Sequence, residues 1–259
     1  MRMMKKVLGT VTVLALSVSL LAGCGSTAAS PVSSVASTAA ESTTSSVVSE
    51  TTSAAADENA AAAAQLLNDL TGSYQELWPV ILADEYQQTW LDDCTALVGE
   101  ENAEAAFEKL SSMVTGDVYG EDAVEAYANG GGAYFCGFTN SLATLTFDGE
   151  TSTISGTDKD GNVLFSHTYH YIGMEPVRGL YEFESDDADS GEFTYFFLAP
   201  DTSAETYHIE FRYGSDADAL SQYDAGDYAY WLASGISTDC DQTMIDNCIE
   251  LFCTENLAG

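Results

Sequence analysis

The sequence predicts an α+β domain in which helices open the fold, antiparallel strands close into a barrel, and helices end it. Three observations carry this. Before residue 130, apolar residues recur at helical spacing, as at Ala106, Leu110 and Met113. From Ala133 the period drops to two over seven short segments divided by turn residues. Strands that follow one another at such spacing suggest an antiparallel barrel or closed sheet.

The chain opens on a targeting segment, residues 1–24. Arg2, Lys5 and Lys6 form a charged start, and Val7 to Leu21 is mostly apolar. The apolar run is short and interrupted by Gly9, Thr10, Thr12, Ser17 and Ser19, which disfavours a membrane span. Leu21-Ala22-Gly23-Cys24 resembles the bacterial lipoprotein box, which implies lipidation of Cys24 and an extracytoplasmic protein held to the cell membrane by acyl chains. Residues 25–59 follow as a Ser/Thr/Ala-rich tether without Lys, Arg or an aromatic ring. Such a segment buries too little apolar surface to offset the entropy of ordering it. Residues 60–259 are one domain by length.

Composition narrows the partners. The chain carries a net charge of −34 at pH 7, and removal of the targeting segment leaves only Lys109, Lys159, Arg178 and Arg212 against all 41 acidic residues. Such a surface repels nucleic acid and anionic headgroups, so membrane contact is expected through the lipid anchor alone. Five cysteines follow Cys24: Cys94, Cys136, Cys240, Cys248 and Cys253. Export permits disulfides, and an odd number leaves at least one thiol free or paired with another chain. Cys248 and Cys253 stand about 140° apart on a helix, an arrangement that disfavours their pairing with each other. Cys-x-x-Cys spacing is absent, which disfavours a zinc–thiolate cluster.

In order, helices are expected over 60–67, through Tyr74, Leu77, Trp78 and Ile81, over 84–98 and over 103–114. Strands are expected over 133–138, 141–147, 151–156, 162–172, 179–184, 192–199 and 206–213. Two helices end the chain, near 216–223 and 240–254, the last with Asp239 as its N-cap.

The most informative strand is 206–213, which alternates polar and apolar strictly. Thr206, His208, Glu210 and Arg212 take one face; Tyr207, Ile209, Phe211 and Tyr213 take the other. His208 and Glu210 then project side by side, roughly 6–7 Å apart, where an imidazole and a carboxylate suit one divalent cation. In a hairpin with 192–199, Phe197 is expected opposite His208 and Tyr195 opposite Glu210, with Ala199 on the same face.

Several stretches, taken together, resemble the ZinT/YodA family. Leu67-Asn68-Asp69-Leu70-Thr71-Gly72-Ser73-Tyr74 with Leu77-Trp78-Pro79 is similar to the family's opening L-x-D-W-x-G-x-W segment and Pro. Tyr169-His170-Tyr171-Ile172-Gly173 is similar to its Y-x-Y-x-G strand, and Arg178 to Phe183 to the strand after it. His208 to Gly214, then Ser215-Asp216, resembles its H-x-H-I-x-x-G-N-D segment. The resemblance spans roughly 66–254 and implies a calycin-like (lipocalin-like) barrel with helices packed on it, binding zinc in the bacterial envelope. It implies His208 as the first ligand and Glu210 in place of the second His, in a shallow site at the barrel mouth. The ligand position on the preceding strand falls at Ala199 or Phe196, neither of which coordinates, so Asp201 is the nearest replacement. Tight binding would need a third ligand from Asp201, His170 or a helix carboxylate, so a weakened zinc site with His208, Glu210 and Asp201 as its candidate ligands is expected. The protein partner is left open.

Other candidates carry less. His167 and His170 fall on opposite strand faces. Asp158-Lys159-Asp160-Gly161-Asn162 lacks a full calcium loop and is expected to be a hairpin turn. Asp186, Asp187, Asp189 and Glu192 form a loop expected to be solvated. Catalytic and nucleotide-binding fingerprints are missing, so no enzyme is expected. The alternatives are a barrel that has lost metal binding and holds a small apolar ligand, or a surface interaction protein.

Overall fold

The computed structural model describes residues 58–199, 206 and 208–258. The targeting segment with Cys24, nearly all of the tether, and Asp201 lie outside the described residues. Within them, eight antiparallel strands close on themselves in chain order. These are β1 (Gly72–Glu76), β2 (Thr144–Asp148), β3 (Thr153–Thr157), β4 (Val163–Met174), β5 (Tyr181–Ser185), β6 (Tyr195–Leu198), β7 (His208–Gly214) and β8 (Ala233–Ser237). The helices are α1 over 58–69, α2 (Leu77–Ile81), α3 (Gln87–Val98), α4 (Glu100–Val114), α5 (Glu121–Ala128), α6 (Ala217–Leu220) and α7 (Gln242–Leu257). Among the described residues no helix is long and apolar enough to cross a membrane.

The alternation of the strands sorts their side chains between two cores. Phe165 on β4 meets Phe196 on β6 at 5.9 Å between ring centroids. Those strands are not neighbours, so the rings cross the lumen. Phe147, Ile154, Tyr169, Phe183, Phe211 and Tyr213 share this inner face and are all buried. A second cluster lies outside the wall, where Ile236 of β8 joins Trp78, Trp90, Leu110, Ile249 and Cys253 of the helices. Burial of both clusters drives closure at roughly 25 cal/mol per Å² of apolar surface removed from water.

Both ends of the barrel are covered. At one end the segment 135–142 lies across the opening. Phe138 N donates to Glu76 Oε1 at 2.6 Å, Thr139 N donates to Tyr213 Oη at 2.6 Å, and the Phe138 and Phe211 rings meet edge to face at 5.3 Å. At the other end α1 buries Ala63, Leu66 and Leu67 in the lumen core, with Leu70 just after the helix. Gly149, in the β2–β3 turn, sits so close to α1 that a Cβ there would stand 2.4 Å from Asn68 Cα.

The helix α5 is not among the expected elements, and three others differ from the sequence reading, each for a physical reason. Residues 72–76 are strand, not helix: β1 pairs with β2 on one side and β8 on the other, and without it the barrel would have two open edges. The helix begins only at Leu77, which puts Pro79 in its first turn, where the missing N–H costs nothing. Residues 133–138 make only isolated bridges through Phe135, because this segment caps the barrel and cannot also join its wall. The expected list also lacked β8, whose five residues are all buried and so show no alternation. The last helix is capped by Asp241, not Asp239, with the carboxylate accepting from Met244 N at 3.0 Å.

Candidate metal centre

The faces of β7 are as the alternation dictates. Ile209, Phe211 and Tyr213 point into the lumen core, and His208, Glu210 and Arg212 point out of the wall. His208 pairs with Ile236 and Glu210 with Ser234 on β8. The β6–β7 register differs from expectation by four residues. Phe197 stands opposite Arg212 and Tyr195 opposite Gly214, and Ala199 N donates to Glu210 O at 2.9 Å. The chain between the two strands is therefore longer than a symmetric hairpin loop, and Ala199 lies beside Glu210 on the outer face. Phe196 is on the inner face, fully buried among aromatic rings. His208, as the first residue of β7, stands at the barrel rim, but its side chain lies on the outer wall and not inside the mouth.

His208 and Glu210 are both half-buried. Nδ1 of His208 lies 2.6 Å from Thr206 Oγ1, which fixes the ring. Thr206 is itself held from α7, since the Cys248 thiol donates to its carbonyl at 3.6 Å. Glu210 shares its surroundings with Cys136. Burial first, and then the Glu210 charge, push the Cys136 thiol up to about 12; Ser234, Trp78 and Arg178 act the other way. Trp78 Nε1 is buried there without an acceptor in good geometry.

Next along the same face, Arg212 is fully buried. Its guanidinium donates to the carbonyls of Leu220, Gln222 and Tyr228. Two of these lie at the end of α6 and just beyond it, where helix carbonyls lack partners of their own. Its Cζ stands 4.4 Å from the Tyr223 ring, and Arg178 Cζ stands at the same distance from that ring. The Tyr223 hydroxyl donates to Glu175 Oε2 at 3.4 Å. The fully buried Glu175 carboxylate also accepts from the backbone of Val177 and Arg178 at 2.7 Å each. Burial and the Glu175 charge raise the Tyr223 hydroxyl, while both arginines oppose them. Sequence reasoning missed this cluster. The available signal was that two of the domain's four basic residues are arginines placed within the strand region.

The other candidates resolve plainly. His167 and His170 do leave β4 on opposite faces, but the acidic loop is not merely solvated. Asp187 lies 2.8 Å from His167 Nδ1, and Asp186 lies 2.7 Å from His170 Nδ1. Residues 158–162 form a turn in which Asp158 Oδ1 accepts from Asp160 N and Asn162 N at 2.9 Å each. Among the described residues, no three His, Cys, Asp or Glu side chains converge as a metal site. The described donors on β7 are an imidazole and a carboxylate, a set that suits zinc but is smaller than the usual three or four. The loop after Ala199, which holds Asp201, lies outside the described residues.

No family model matches the chain, and no curated protein matches it in sequence. Solved structures do match. The Zn(II)-bound ZinT-like domain of Streptococcus pneumoniae AdcA is 15% identical with a TM-score of 0.45, covering 71% of this chain and 89% of that one. The Zn(II)-bound AdcA from the same organism is 14% identical with a TM-score of 0.42, covering 72% of this chain and 35% of that one.

Proposed function

We propose that this chain is a divalent-metal-binding protein that captures or buffers zinc outside the cell membrane, with no bond-making chemistry. The observation that carries the reading is the shared outward face of His208 and Glu210 at the rim, with Thr206 fixing the imidazole. His208 would supply a nitrogen ligand and Glu210 an oxygen ligand, with Asp201 as the nearest candidate for a third. The packed lumen weighs against the alternative of an apolar ligand: aromatic rings fill it, and α1 and 135–142 cover its ends. Because a protonated imidazole cannot coordinate, binding weakens as pH falls through the range where histidine protonates.

Zinc calorimetry on the full chain tests this. We expect one weak site in the wild type, loss of it in His208→Ala, and no change in His167→Ala. Ala199→His adds an imidazole beside Glu210 and should tighten binding about tenfold or more, each tenfold being ~1.4 kcal/mol. The absence of zinc heat, or equal binding in His208→Ala, would end the metal reading. The anchor is part of the proposal: Cys24→Ser should release the protein from the membrane fraction or block its maturation. A variant that is processed and anchored as before would refute lipidation at Cys24.

A further inference from the structure

Two thiols of the helical layer lie within reach of each other. Cys94 on α3 and Cys253 on α7 are fully buried, and their sulfurs are 3.9 Å apart. Cys136 and Cys248 instead direct their thiols at the carbonyls of Tyr134 and Thr206. The two helices are held at a fixed spacing by Trp90 on α3 and Phe252 on α7, whose rings meet edge to face at 6.0 Å. A disulfide needs its sulfurs at about 2.05 Å, so closure requires roughly 2 Å of approach, within the reach of side-chain rotations. The same helices also repel. Asp93, next to Cys94, is raised by burial and by Glu250 and Asp246 of α7. A covalent tie would oppose that repulsion.

We propose that Cys94 and Cys253 are a disulfide-forming pair that staples α7 to α3 when the chain folds under oxidising conditions. The oxidant is a disulfide: the small molecule glutathione disulfide, or the active-site disulfide of a thiol oxidase. One cysteine loses its proton, and the thiolate attacks the oxidant, breaking its S–S bond and releasing one thiol. The second cysteine then loses its proton and attacks the protein sulfur of this mixed disulfide, releasing the second thiol. The protein gives up two electrons and two protons, and the oxidant receives both. Burial raises both thiols and shields them. The bond therefore forms quickly during folding and slowly once the reduced protein has folded.

The test refolds the reduced, denatured full chain with glutathione disulfide or with reduced glutathione, then alkylates, digests and maps the peptides by mass. Oxidative refolding should give one cross-linked peptide pair joining Cys94 to Cys253. The Tm should rise by roughly 5–15 °C over the reduced protein, since the bridge closes a long loop. Cys240→Ser should keep the cross-link. Adding glutathione disulfide to the folded reduced protein should form the bond far more slowly. Full alkylation of Cys94 and Cys253 after oxidative refolding, or a bridge from either to another cysteine, would overturn the proposal. Peptide mapping of the wild type decides this even if Cys94→Ser fails to fold.

Discussion

Replacement of Arg212 by Met tests how the outer wall beside the candidate metal centre is held. Met keeps much of the length of the side chain but removes every donor. The buried carbonyl of Leu220 and the part-buried carbonyls of Gln222 and Tyr228 would lose their guanidinium partner. An unsatisfied buried acceptor costs about 1–3 kcal/mol and a part-buried one less, because water can reach it, so the three together cost less than roughly 9 kcal/mol. Against this stands relief of a desolvated cation, since burial lowers the pKa of Arg212. Its Nε is also buried without an acceptor, which adds to that relief. The net loss is about 4 kcal/mol, in the range for breaking a buried charged network. For a domain of this size, that is a fall in Tm of roughly 8–16 °C. Arg212→Lys should rescue little, because a point charge with three donors cannot span three carbonyls. Calorimetric melting would give the magnitude, and hydrogen exchange should show lost protection concentrated in 217–230. A Tm within about 2 °C of the wild type would refute this account of the wall.

Two further perturbations probe the helical layer and the barrel end. Asp93 has a raised folded pKa, so the folded state holds its proton more tightly than the unfolded chain does. The penalty for ionising it is absent below its ordinary value of 3.8, and grows as pH rises through the raised folded value. Asp93→Asn should therefore raise Tm by about 1–3 °C at pH 7, with the gain shrinking in high salt and vanishing near pH 3.5; an equal gain at both pH values would refute the electrostatic cause. Gly149→Ala places a Cβ 2.4 Å from Asn68 Cα and 2.6 Å from Leu67 O. It should cost about 1–3 kcal/mol by denaturant titration, and a neutral result would mean that α1 is not seated there.

The sequence disclosed some parts of the fold and hid others for identifiable reasons. Strands that put polar residues on the outer face and apolar residues in the lumen, such as β3, β4 and β7, betray themselves by alternation. The closing seam did not. β8 is buried throughout, and β1 is five residues long and runs straight into the apolar start of α2. Residues 133–138 alternate well enough to mimic a strand, because a capping segment also needs apolar residues facing the core. At the candidate site, the common face of His208 and Glu210 followed from a period of two. The hairpin register did not, because nothing local fixes the length of the β6–β7 connection. The Arg178–Tyr223–Arg212 cluster joins residues far apart in the chain, so no spacing rule could assemble it.

The most direct measurement is an anomalous difference map at the zinc absorption edge, from crystals of the full chain grown with zinc. The account predicts a peak on the outer wall at the start of β7, about 2.0–2.2 Å from His208 nitrogen and a Glu210 oxygen. That peak should vanish in crystals of His208→Ala. A peak beside His167 and Asp187, or none at saturating zinc, would contradict it.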